Sequence, residues 1–380
     1  MLITDTRSRA RIDLTTCHTL RVYVCGITPY DSTHLGHAFT YVSTDALIGY
    51  LEHIGHRVVY TRNVTDVDDD ILRKAAELDM DYLELGNREI ARFDADLAKL
   101  GCRPPDHIPR ATQFIPAIVT AIRGLVRTGH AYATDDGRVY YSVSSAPAFG
   151  ALSRLDRERM LTEFAEKGGD PDAPGKADPL DFLLWQPSAP GEPAWDSDWG
   201  PGRPGWHIEC SVMATETLGN AIDLHGGGAD LVFPHHEAEI LQAEGLTGQA
   251  PFARVWFHVG MVTLDGVKMS KSLGNLVFVS DLLERYEPDA VRRYLLEHHY
   301  RAGFDYSDSA LEDAAARVKC WREALAGDAS RPDLEARFHA AMADDLDTPT
   351  ALAVLDEAAK AGAGNTVRDL ASALRFTIAG

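Results

Sequence analysis

The run from Leu20 to Tyr60 constrains the fold more than any other part of the chain. Residues 20–24 form a short apolar stretch ending at Cys25-Gly26 and read as a buried strand. Residues 27–33 hold Pro29 and polar side chains and read as a loop. Residues 35–54 carry a helical pattern that Gly55 stops, and Val58, Val59 and Tyr60 begin a second strand. Strand, helix and parallel strand in so short a span make a βαβ unit. The expectation is an α/β fold with a Rossmann-like parallel sheet that binds ligands at the carboxyl ends of its strands. Cys25, His34, His37 and Thr65 all fall at that edge.

Residues 67–165 read mostly as helices, with a strand candidate at 138–143. Residues 166–205, rich in Gly and Pro and holding Trp185, Trp195 and Trp199, read as a long loop region. Residues 221–224 and 255–259 are further strand candidates. Past Ser272 the pattern is helical. Pro288 opens one helix with Val291, Tyr294 and Leu295 inside, and Ser307 precedes another with Leu311, Ala314, Val318, Trp321 and Leu325 at helical spacing. Two more follow, after Pro349 and from about Val367. The organisation expected is a catalytic unit over residues 1–275, with helical and loop insertions, and a small α-helical domain over 276–380.

Composition narrows the function classes. Hydrophobic residues at 45% and charged residues at 25% suit a soluble globular protein. The net charge of −20 argues against a large RNA partner or an anionic membrane surface, both of which call for basic patches. No run of apolar residues is long enough to span a bilayer, and residues 1–11 lack the apolar stretch of a secretory leader. A cytoplasmic, monomeric enzyme is expected. There its five scattered cysteines serve as thiols or metal ligands rather than disulfides.

Two motifs carry chemistry. His34-Leu35-Gly36-His37 opens the first helix. Gly36 permits close backbone approach, a helix N-terminus favours phosphate, and two imidazoles can donate to a pentavalent phosphorus. A histidine pair at a helix start is, alone, more often structural. Lys268-Met269-Ser270-Lys271-Ser272 then places two flexible point charges on a Gly-flanked loop, suited to a leaving pyrophosphate. In this order the two segments resemble the paired signatures of class I aminoacyl-tRNA synthetases. The resemblance implies ATP-dependent activation of an amino acid as its adenylate, with Mg2+ on the phosphates and His34, His37, Lys268 and Lys271 as catalytic residues.

Cys25, Cys210, His235 and Glu239 are donors of the kind zinc takes, and His235 and Glu239 share a face if helical. Either cysteine could instead be a small buried hydrophobe. His235-His236-Glu237 also resembles a fragment of a metallohydrolase site, without the H-E-x-x-H arrangement. The chain is similar to cysteinyl-tRNA synthetase and its relatives, which carry zinc at positions matching Cys25, Cys210, His235 and Glu239 and bind the substrate thiolate on it. That resemblance implies L-cysteine as the amino acid and Trp206 packed against it. It puts Gly226 to Asp230 in the loop that meets the adenosine, with Gly228, Ala229 and Asp230 at the nucleoside. Cys25, Gly26, Ile27, Thr28, Thr40, Asn63, Val64, Thr65 and Val262 would line the adenylate pocket.

Two families share these features: cysteinyl-tRNA synthetase, and the mycothiol-biosynthesis ligase that joins cysteine to the amine of a glucosaminyl-inositol. Ile27-Thr28-Pro29 and the Glu166 to Pro171 segment, Glu-Lys-Gly-Gly-Asp-Pro, resemble the ligase. Only residues 273–380 follow the lysine signature, which leaves no room for an anticodon-reading domain. Glu239, residues 63–73 and residues 141–153 resemble the synthetase instead. The reading is a cysteine ligase acting on an aminosugar, with tRNA or a different small amine as the alternative acceptor.

Overall fold

The computed structural model describes residues 1–30, 32–269 and 273–379. At its centre is a four-stranded, wholly parallel sheet in the order Ala253–Val259, Ile222–Gly228, Thr19–Ile27, Arg57–Val64. Val22 sits level with Leu224 on one side and Tyr60 on the other. Val22, Tyr23 and Val24 are buried in succession, as expected of a strand covered on both faces. The helix Leu35–His53 crosses between two of these strands, and Gly55, at φ +93°, follows its end in a conformation that glycine adopts without strain.

The βαβ unit is as read, with two changes. Ile27 belongs to the first strand, not to the loop after it. Gly226, Gly227 and Gly228 are the carboxyl end of a strand, and only the turn Ala229–Leu231 beyond them is loop-like.

The region 166–205 needs a larger correction. It contains the strands Phe182–Pro187 and Gly202–Pro204. With Ala131–Ala133 and Val139–Tyr141 they make a four-stranded antiparallel sheet. Trp185 is buried there, in a core it shares with Ile118, Ile122 and Ile208. The surrounding Gly and Pro hid the apolar run 182–185, while Gly202–Pro204 is a strand through pairing and not propensity.

The four C-terminal helices read from the sequence are present as Pro288–Leu296, Asp308–Ala324, Thr348–Lys360 and Gly364–Ala373. Val279–Arg285 and Pro332–Ala343 are two more that the sequence reading missed. Their apolar faces share one core with the first helix: Val42, Ile48 and Leu51 pack with Val291, Leu295, Leu355 and Leu370. Arg292, buried among them, donates to Asp45 at 2.5 Å and to the Leu374 carbonyl at 2.8 Å. The hairpin of Leu2–Thr4 and Arg11–Asp13 joins the same body, because Asp345 accepts from the Thr4 N–H and hydroxyl, both at 2.7 Å. Among the described residues no helix is long and apolar enough to cross a membrane.

Candidate active site

A cleft of about 330 Å3 opens at the carboxyl edge of the parallel sheet. Its walls come from the first strand (Cys25, Gly26, Ile27, Thr28), the start of the first helix (His34, His37, Thr40) and the neighbouring strand (Asn63, Thr65). Trp206, Gly228, Asp230, Val262 and Lys268 also line it. Val64 and Ala229, expected with them, lie outside the wall: Val64 is buried in strand pairing level with Ile27, and Ala229 is exposed on the turn. Lys271, with Ser270 and Ser272, lies outside the described residues.

Gly26 is required by a close approach. A Cβ there would sit 1.7 Å from the Asn63 carbonyl oxygen, while its N–H donates to Asn63 Oδ1 at 2.7 Å. The two strand ends are thereby locked together at the floor of the cleft.

The histidine pair has a dual role in this geometry. His34 is the N-cap, and its Nδ1 accepts from the Gly36 and His37 N–H groups at 3.1 and 3.4 Å. The Leu35 N–H is taken by the Val277 carbonyl. The first-turn amides are therefore engaged already, so a ligand approaching this helix start would meet imidazole edges rather than backbone N–H groups. Gly36 serves the ring more directly than the nucleotide, since a Cβ there would touch His34 at 3.0 Å. With Nδ1 accepting, the His34 proton sits on Nε2, and the His37 ring stacks on it at 3.7 Å. Lys268, exposed, approaches from the short strand Val267–Lys268 paired with Val262–Leu264.

Below this rim lies a dry cluster. Cys25, Cys210, His235 and Glu239 are all buried, and their donor atoms lie within 4.8 Å of one another. Glu239 Oε1 accepts from the Cys25 thiol at 3.4 Å and is 3.2 Å from His235 Nε2. A tetrahedral zinc with bonds of about 2.0–2.3 Å has ligand–ligand edges of roughly 3.3–3.8 Å, so this set fits the ion with little movement. Burial holds His235 down at about 3, leaving the neutral imidazole a metal needs. Burial, then the neighbouring Cys210, raises the Cys25 thiol well above its usual range, a penalty a bound cation reverses. Glu239 runs the other way: burial alone would raise it, but His225 and His235 hold it below the ordinary range.

The sequence reading missed His207, His225 and His258 around this cluster and took His236 only as part of a metallohydrolase-like fragment. His225 Nε2 lies 2.9 Å from Glu239 Oε2, and His207 Nδ1 lies 2.9 Å from His235 Nδ1. His236 Nε2 is 3.3 Å from Cys25 Sγ and its Nδ1 is 2.7 Å from His258 Nε2. Cys25, His225, His236 and Glu239 thus form a second overlapping donor set. One signal existed: His225 lies level with Tyr23 in the sheet, two residues before Cys25 and so on the same face. The Tyr41 hydroxyl, which donates to the Cys25 carbonyl at 2.8 Å, had no such signal.

Residues 12–316 match the family described as tRNA synthetases class I (C) catalytic domain. The fold agrees with solved members of that class. The methionyl-tRNA synthetase of Mycobacterium tuberculosis in complex with methionyl-adenylate superposes with a TM-score of 0.64 at 18% identity, over 96% of this chain and 90% of that one. Curated relatives named L-cysteine:1D-myo-inositol 2-amino-2-deoxy-alpha-D-glucopyranoside ligase are far more similar. The protein of Thermobifida fusca is 48% identical over 98% of this chain and 92% of its own length. That of Frankia alni is 51% identical over 91% and 85%. The chain belongs to the class I synthetase catalytic-domain family and, within it, to the family of these ligases. It is a ligase-type enzyme built on a synthetase fold.

Proposed function

We propose that this chain activates L-cysteine with ATP as cysteinyl-AMP and transfers it to the amine of glucosaminyl-inositol, forming the amide of mycothiol biosynthesis. The observation that carries the reading is the buried Cys25, Cys210, His235, Glu239 set beneath a cleft rimmed by His34, His37 and Lys268. The names of relatives about half identical to it support the acceptor.

In the first step the cysteine carboxylate attacks the α-phosphorus of Mg2+-bound ATP. A P–O bond forms and pyrophosphate leaves with its electron pair. His34 Nε2–H and His37 donate to the phosphate as charge builds, and Lys268 and Lys271 accompany the leaving group. Zinc, held by Cys25, Cys210, His235 and Glu239, would supply a soft Lewis acid that favours a thiolate over the hydroxyl of serine. Trp206, stacked on His235 at 4.2 Å, presents an apolar face to the cysteine side chain. Asp230 takes the ribose. Gly26, Ile27, Thr28, Thr40, Asn63, Thr65, Gly228 and Val262 shape the adenylate site, with Val64 and Ala229 contributing through backbone placement. In the second step the acceptor amine attacks the adenylate carbonyl and AMP departs. The enzyme works as a monomer in the cytoplasm.

Cysteine-dependent exchange of pyrophosphate into ATP tests the activation, and its absence sinks that reading. AMP release is then compared with glucosaminyl-inositol, other small amines and tRNA as acceptors. Release that requires tRNA and ignores the aminosugar defeats the acceptor assignment.

A further inference from the structure

A second cavity, about 700 Å3 in volume, lies beside the adenylate cleft. The two share Thr28, Asp70 and Trp206, so they meet at the side chain that faces the cysteine in the reading above. Its lining includes the Glu166 to Asp170 segment that the sequence singled out and Asp68 to Asp70. The segment is held in shape by its own lysines. Lys176 donates to the Asp170 and Pro179 carbonyls, both at 2.8 Å, and its ammonium lies over the Phe164 ring at 4.7 Å. Lys167 donates to the Asp230 carbonyl at 2.9 Å, fastening the segment to the turn at the nucleotide end.

The cavity is larger than the cleft and lined by polar groups of both signs. Arg138, Tyr140 and Gln186 line it together with Asp68, Asp70 and Asp170. Such a lining suits a hydroxyl-rich molecule with one positive charge, and not a phosphate chain, which would have to pass the aspartates.

Resting on the activation reading, we propose that the acceptor, a polyhydroxylated primary amine, occupies this cavity with its nitrogen on the cavity side of the junction, where Asp68 lines the wall two residues from the shared Asp70, and that Asp68 is the base of the transfer step. The ammonium first loses one proton to solvent through the cavity mouth. The free amine attacks the adenylate carbonyl carbon and a C–N bond forms. Asp68 takes the second proton from nitrogen, the carbonyl–phosphate C–O bond breaks, and AMP leaves with that electron pair. Asp68 is shaped for the task. It caps the helix Asp69–Glu77 with one oxygen, accepting from the Asp70 N–H at 2.8 Å, and the second oxygen remains for the amine. Burial lifts its carboxyl to about 6, close to the working range of a general base. The charged and titratable groups near it are Asp69, Asp70, Arg203, Glu209 and Tyr30: after burial, Asp70 and Asp69 push it up and Arg203 pulls it down.

Asp68→Asn and Tyr140→Phe test this. Asparagine caps a helix as well as aspartate does, so the fold is kept while the base is lost. Cysteine-dependent pyrophosphate exchange is expected within threefold of wild type in both, since neither residue acts in the first step. For Asp68→Asn, transfer to glucosaminyl-inositol should fall on the order of 100-fold in kcat, and the acidic limb of its pH profile near 6 should disappear. For Tyr140→Phe, KM for the aminosugar should rise several-fold with kcat unchanged. Transfer by Asp68→Asn at the wild-type rate, or a parallel loss of its exchange, overturns the base assignment. An unchanged KM in Tyr140→Phe overturns the cavity assignment. If wild type itself shows no cysteine-dependent exchange, the underlying activation reading has failed instead.

Discussion

The two ends of the cleft obey different physics. At the floor, Cys25, Cys210, His235 and Glu239 are all buried, ringed by further histidines and held at fixed separations. At the rim, His34 and His37 are partly open to solvent and Lys268 is exposed on a two-residue strand. A dry floor can select a side chain by bond chemistry, because displacing a donor there strands a buried polar atom. An open rim must stabilise charge that appears only during reaction, and a long exposed side chain such as that of Lys268 can follow a departing group. On the proposed function, selection would belong to the floor and rate to the rim.

Removing the floor is the most severe way to break this contrast. Cys210→Ser, or stripping metal with a chelator, should cost several kcal/mol, on the order of 1000-fold in cysteine-dependent exchange, together with stoichiometric zinc. Stoichiometric zinc retained in Cys210→Ser would count against the ligand set. At the rim, His37→Ala should lower kcat for exchange roughly 100-fold while zinc content and thermal stability stay near wild type. A loss of zinc in that variant would mean that floor and rim are not separable. Between the two ends, His225→Gln should weaken zinc roughly 10- to 100-fold in a chelator competition, since His225 orients Glu239 from behind. The smallest effect separates the two jobs of His34. His34→Ala should lose about 1 kcal/mol of stability by uncapping the helix, whereas His34→Asn should keep that stability and lose only rate. Thermal melts read beside exchange rates distinguish the pair.

The parts legible in the sequence share a cause. The βαβ unit announced itself because residues 20–24 and 35–54 carry their periods locally, and Gly55 ends the helix for a local reason. Gly202–Pro204 had no such signal. Its three residues become a strand only by pairing with Trp185, Gln186 and Pro187. Pro332–Ala343 went unseen although Leu334, Phe338 and Met342 recur at helical spacing and are buried. Cys25, Cys210, His235 and Glu239 were found by residue type and resemblance. His207, His225 and His258 were not, because their meaning is spatial: each matters only through a neighbour distant in the chain. The segment at 166–170 was noticed as a motif, but that it lines one cavity with Asp68 and Tyr140 has no local signal in the sequence.

One consequence concerns time. Thr4 and Asp345, whose hydrogen bonds fasten the first hairpin to the C-terminal helices, are 341 residues apart in the chain. At about 5–20 residues per second, a ribosome needs on the order of tens of seconds between making one and making the other. The central sheet also waits, since the strand Thr19–Ile27 lies beside Ile222–Gly228. For about half of its synthesis this chain holds the first strand of its central sheet with an edge unclaimed, and the interval before Ile222–Gly228 emerges is when a chaperone would have most to cover.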